Sequence, residues 1–165
     1  MALVAEQKKL LSVGAAIGVV ALLISLIAVF AHALKTTPMP AQQKISQVTI
    51  GTTAVQVEVA DTDAKRELGL SYRDALLPGH GMLFVFDTPD TYGFWMKDMS
   101  FPIDMLFADK GGKVVTIYKN VSPDSYLKNP PDIFYPTSPA LYVLEVTAGF
   151  AKEQGIVEGD KIVVQ

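Results

Sequence analysis

The chain has 165 residues, of which 50% are apolar and 19% charged, with a formal net charge of −3; this excludes a disordered protein and leaves room for one domain plus an appendage. Once Glu6, Lys8 and Lys9 are set aside, 12 of the 14 basic and 16 of the 17 acidic residues remain, a balance that argues against nucleic acid and anionic lipid surfaces as partners. Cysteine is absent, so disulfide and thiolate chemistry are excluded and stability rests on the core.

Residues 1–9 read as a cytoplasmic n-region ending in Lys8-Lys9. Residues 10–34 carry no Asp, Glu, Lys or Arg, and 25 helical residues would span roughly 37 Å, more than the hydrocarbon core of about 30 Å. Ala31-His32-Ala33 has the small-x-small form of a signal-peptidase site, whereas the apolar run exceeds the roughly 7–15 residues of an ordinary signal segment. The expectation is a single-pass membrane anchor with the domain on the extracytoplasmic side of the cell membrane; the alternative is a secreted or periplasmic domain after cleavage near Ala33. Residues 35–44, with Pro38, Pro40, Gln42 and Gln43, read as a linker. A β-rich domain is expected over residues 45–165.

Within it, Ile45–Ile50 and Ala54–Ala60 flank a Gly-Thr-Thr turn. Val55, Val57 and Val59 alternate with Gln56 and Glu58 as in a half-buried strand. Asp61, Thr62 and Asp63 open a short helix that ends near Gly69, and Ser71-x-x-Asp74 suggests a second helical turn to Leu77. The stretch from Gly81 to Phe107 is the densest apolar and aromatic segment beyond the N-terminus and holds Trp95, the one tryptophan. It reads as three strands, Met82–Phe86, Tyr92–Lys97 and Ile103–Phe107, followed across an Asp-Lys-Gly-Gly turn by Val114–Tyr118, in the order of a meander. Asp104 falls on the face opposite Ile103, Met105 and Phe107.

Residues 120–139 lack periodicity but hold five of the ten prolines and Tyr126, Phe134 and Tyr135, which predicts a packed loop over one end of a barrel rather than disorder. Ala140–Val146 is the last long strand, with Glu145 beside Val143. Ala148–Gln154 is expected to be briefly helical, and Glu158-Gly-Asp160 turns the chain into the closing strand Lys161–Val164. The fold class expected is mainly β, a compact sandwich, jelly-roll-like or barrel-like domain with one or two short helices.

Several blocks resemble the prokaryotic family known as domain of unknown function 192. They are Arg66-Glu-Leu-Gly-Leu-Ser71 with Arg73, Gly81-Met-Leu-Phe84 with Phe86, Phe94-Trp-Met-Lys97, Pro102-Ile-Asp104 with Phe107, Tyr142-Val-Leu-Glu145 and Gly159-Asp160. The resemblance covers Ile45 to Val164 and implies a compact, mostly β domain, often behind an export signal or anchor. It implies no activity.

Charged residues inside apolar strands are the chemical lead. Arg66, Arg73, Trp95, Lys97, Asp104 and Glu145 are the candidate polar cluster, since a buried charge requires a partner. Its structural account is an ion-pair network that docks the helix; its functional account is a pocket for a small anionic or carbohydrate-like envelope ligand, with Trp95 as a stacking face. A hydrolase using Asp104 and Glu145 as a carboxylate pair is the alternative, and a purely structural interaction domain the third reading. No cofactor is expected. Met82, Met96, Met99 and Met105 invite a copper site, but methionine is a common core filler, His80 sits in a turn, and Asp98, Asp104 and Asp109 fit no calcium loop, so no metal is expected.

Overall fold

The computed structural model describes residues 45–165; the n-region, the anchor or signal at 10–34 and the linker lie outside the described residues. Seven strands form one curled sheet, a half-barrel: β1 (Ile45–Ile50), β2 (Thr53–Ala60), β3 (His80–Asp90), β4 (Ile103–Ala108), β5 (Val114–Val121), β6 (Ala140–Thr147) and β7 (Ile162–Val164), with α1 (Asp63–Leu68) and α2 (Phe150–Glu153) as its helices. The strand order is β5-β4-β6-β3-β2-β1-β7.

The predicted meander is therefore corrected on two counts. β2 and β3 run parallel, joined through α1, and β6 enters between β3 and β4, pairing antiparallel with both. Hydrophobic period fixes which side chains share a face but carries no information on which strands are neighbours. Tyr92–Lys97 is likewise no strand of the sheet; it is an extended loop held by the single bridge Phe94↔Phe134. Ser71–Leu77 forms turns rather than helix.

The alternation in β2 is as expected. Val55, Val57 and Val59 are buried with Gln56 exposed. Inside the curl lies a core of Val48, Val57, Leu83, Leu106, Leu144 and Ile162, closed by Phe150 and Ala151 of α2. The opposite face of β3, β4 and β6 presents Met82, Phe84, Met105, Phe107 and Val143, over which two long loops lay Leu70, Met96, Phe94 and Phe134. The proline-rich loop thus packs on a face of the sheet rather than over one end, and three edge-to-face ring contacts join Phe94 to Phe84, Phe107 to Tyr118 and Tyr118 to Phe134. Both faces of the central strands are dry, so β4 is buried at all six positions.

The two ends of the sheet meet at one place. Val114 N–H donates to the Asp160 carbonyl at 2.8 Å and Ile162 N–H to the Gly112 carbonyl at 2.8 Å. Gly112 permits this: its φ is +79°, and an added Cβ would collide with the Ile162 carbonyl oxygen.

Candidate functional site

Two carboxylates were singled out in the sequence, and the sheet sends them to opposite faces. Asp104 pairs in register with Val146, while its neighbour Met105 pairs with Glu145. Asp104 therefore points into the curl and Glu145 toward the loop-covered face.

Asp104 is fully buried. Its Oδ1 accepts from the N–H groups of Asn120 at 2.8 Å and Gly149 at 3.1 Å, and its Oδ2 from Ala151 N–H at 2.8 Å. Gly149 is the N-cap of α2 and has no side chain with which to cap it. Asp104, reaching from β4, supplies the missing acceptor to the second residue of the helix. Asn120, at φ 52°, belongs to a bulge where the β4–β5 register shifts opposite Asp104. The carboxylate is thus a structural clasp, and it does not form a pair with Glu145.

Glu145 is 5% exposed and lies at the floor of a cavity of about 200 Å³. No hydrogen bond or ion pair closes on its carboxyl among the described residues. Burial pushes its pKa up from 4.5 to about 8, against a smaller pull downward from Arg73. At neutral pH the group is largely a carboxylic acid able to donate as well as accept.

The walls are built from α1 and the two loops. Arg66 donates to the Val85 carbonyl at 2.6 Å and to Asp63 Oδ1 at 2.6 Å, and its guanidinium lies 5.2 Å from the centre of the Phe86 ring. Phe86 in turn stacks on Tyr92 at 3.7 Å. The same cavity is lined by Trp95, which is 51% exposed, and by Lys97, which is exposed and makes no ion pair among the described residues.

Of the six residues singled out in the sequence, Arg66, Trp95, Lys97 and Glu145 line one cavity, Asp104 faces the other core, and Arg73 stands outside the lining. Arg73 instead grips Glu58 of β2 bidentately, at 2.5 and 2.8 Å, with both side chains about a quarter exposed. This hydrogen-bonded pairing lowers the Glu58 pKa and raises that of Arg73, each against a smaller opposing effect of desolvation. Part of the cluster is thus an ion pair that fixes the turn after α1 to the sheet. Arg73→Ala should cost about 1 kcal/mol, the usual scale for a partly exposed pair; thermal melts should drop by a few degrees while pocket binding persists. Glu58, Phe86 and Tyr92 carry no sequence signal that marks them as site residues. Glu58 occupies an ordinary polar position of an alternating strand, and only the fold brings it to Arg73. Among the described residues no group of three or more His, Asp and Glu side chains is placed to hold a metal ion.

Residues 46–164 match the family model DUF192, described as Uncharacterized ACR. Among solved structures, the chain is similar to a protein of Sinorhizobium meliloti 1021 described as a "putative transcription regulator", at 34% identity and a TM-score of 0.70 over 76% of this chain and 98% of that one. It is also similar to a protein of unknown function from Novosphingobium aromaticivorans DSM 12444, at 31% identity and a TM-score of 0.68 over 77% and 91% of the two chains. No curated protein shows a significant match.

Proposed function

The chain belongs to the DUF192 family, whose description assigns no activity, and from its pocket we propose that it is a binding module for a small carbohydrate-like ligand. In this proposal the domain sits outside the cytoplasmic membrane, tethered through residues 10–34 or released near Ala33. The observation that carries the binding reading is the Glu145 carboxyl: buried, free of hydrogen bonds and turned into an open aromatic cavity. Its oxygens carry no protein hydrogen bond among the described residues and open onto the cavity, where a ligand hydroxyl would bond to them.

Size and chemistry narrow the occupant. A cavity of about 150 Å³ holds a benzene-sized ring, so about 200 Å³ suits one sugar ring rather than an extended cofactor. Trp95 offers a flat apolar face of the kind that packs against the C–H face of a sugar, and Arg66 and Lys97 supply donors at the rim. The Asp104–Glu145 pair of a hydrolase does not form, because Asp104 lies on the other side of the sheet, committed to three backbone donors. Transcription regulation, suggested by the description of one neighbour, lacks support in a net charge of −3.

Calorimetric titration of the full-length protein with neutral monosaccharides tests the reading. Wild type should bind with release of heat, Trp95→Ala should weaken binding about tenfold or more, and the melting temperature of that variant should change by no more than a few degrees because the ring is half exposed. Unchanged affinity in Trp95→Ala and Glu145→Ala together would remove the pocket from consideration.

A further inference from the structure

A second cavity, of about 280 Å³, adjoins the first and shares Glu67, Leu68, Ser71 and Lys97 with it as a common wall. Its own features are Tyr72, 75% exposed, and Asp98. The backbone that carries this exposed ring is held from two directions. Its N–H donates to the Asp98 carbonyl at 2.9 Å, and Ser71 Oγ donates to the Lys97 carbonyl at 2.9 Å, hooking the turn after α1 to the turn after Trp95. The Asp98 carboxylate beside the Tyr72 ring raises the phenol pKa above its ordinary value.

The hook is made from unfavourable backbone. Tyr72 at φ 63° and Asp98 at φ 55° both occupy the left-handed region, which is unfavourable for residues other than glycine. Strain of this kind persists only where the surroundings impose it, and here it sets an aromatic ring beside the first cavity. In the wall common to both cavities, Glu67 and Lys97 are exposed and make no ion pair among the described residues.

We propose that the two cavities are adjacent subsites of one cleft that binds a linear oligosaccharide of at least two units, one against Trp95 over Glu145 and the next against Tyr72. Two exposed aromatic side chains, on cavities that share the uncommitted Glu67 and Lys97, match a chain whose units each present an apolar ring face and hydroxyl edges. The inference rests on the carbohydrate-binding reading of the pocket.

The test is calorimetric titration of the full-length protein with glucose and N-acetylglucosamine and with their linear dimers and trimers. Wild type should bind a dimer at least tenfold more tightly than its monomer, with little further gain for the trimer. Tyr72→Ala should abolish that gain and leave monomer affinity unchanged, Tyr72→Phe should retain most of it, and Trp95→Ala should weaken monomer and dimer alike. Equal affinity for monomer and dimer, or a gain that survives Tyr72→Ala, overturns the two-unit cleft while leaving the pocket standing. Failure of every sugar to bind removes both.

Discussion

Replacing Glu145 by Gln is expected to make the protein more stable than wild type at pH 9, by several kcal/mol, and to leave the two within about 1 kcal/mol of each other at pH 5. The carboxyl has a folded-state pKa of about 8 against an ordinary value of 4.5, and burial is the chief cause. Between those values the folded protein holds a proton that the unfolded chain has released. Stability therefore falls as pH rises through this window and has lost its full share above pH 8. At about 1.4 kcal/mol per unit, the shift corresponds to a ceiling of roughly 5 kcal/mol, a large fraction of the stability of an ordinary domain. Urea unfolding at pH 5, 7 and 9 measures it. Parallel pH profiles for wild type and Glu145→Gln would show that the carboxyl is already solvated or paired.

The same titration should be visible in the folded protein. Trp95 is the only tryptophan and lines the cavity above Glu145, so its fluorescence should change with a midpoint near pH 8 in wild type and not in Glu145→Gln. Glu58 acts with the opposite sign. Its pKa is lowered, chiefly by the hydrogen bond from Arg73, so its contribution is present above pH 4.5 and is lost as pH falls through its folded value. The Glu58–Arg73 pair thus limits stability on the acid side, and Glu145 lowers it progressively between pH 4.5 and about 8.

Asp104→Ala should be the most damaging single carboxylate deletion in the domain, costing about 3–5 kcal/mol. Three buried or part-buried N–H groups lose their acceptor together, at about 1–3 kcal/mol for each one left unsatisfied, with partial relief from water or relaxation. One of them is the N-cap contact of α2, for which Gly149 has no substitute. Asp104→Asn should cost about 2 kcal/mol, because its amide can face only some of these donors with an oxygen. At about 3 °C per kcal/mol, the alanine variant should melt on the order of 10 °C below wild type. Where it remains folded, its affinity for pocket ligands should be unchanged, because the side chain lies on the other face of the sheet. A variant that melts normally but binds poorly would return Asp104 to the site.

The contrast between these two carboxylates shows what was legible in the sequence. Period-two alternation correctly opposed Asp104 to Met105 and Phe107 and set Glu145 beside Val143, since side-chain direction along a strand is a local property. It also marked both as charges in apolar surroundings. Whether they meet depends on the register between β4 and β6, two strands separated by more than thirty residues of chain and set side by side in space. That register pairs Glu145 with Met105 rather than with Asp104 and turns the two groups away from each other.

The mainly β character, the short helix ending before Gly69, the buried faces and the family were determined by the sequence itself, because each follows from residue type, local period or ordered motif blocks. The tertiary structure alone decided the strand order, the insertion of β6 between β3 and β4, the pairing of Arg73 with Glu58 and the enclosure of Glu145 by Arg66, Phe86, Tyr92 and Trp95. These are non-local contacts, selected by how the whole chain buries two cores on the two faces of one sheet, and no short stretch of residues encodes them.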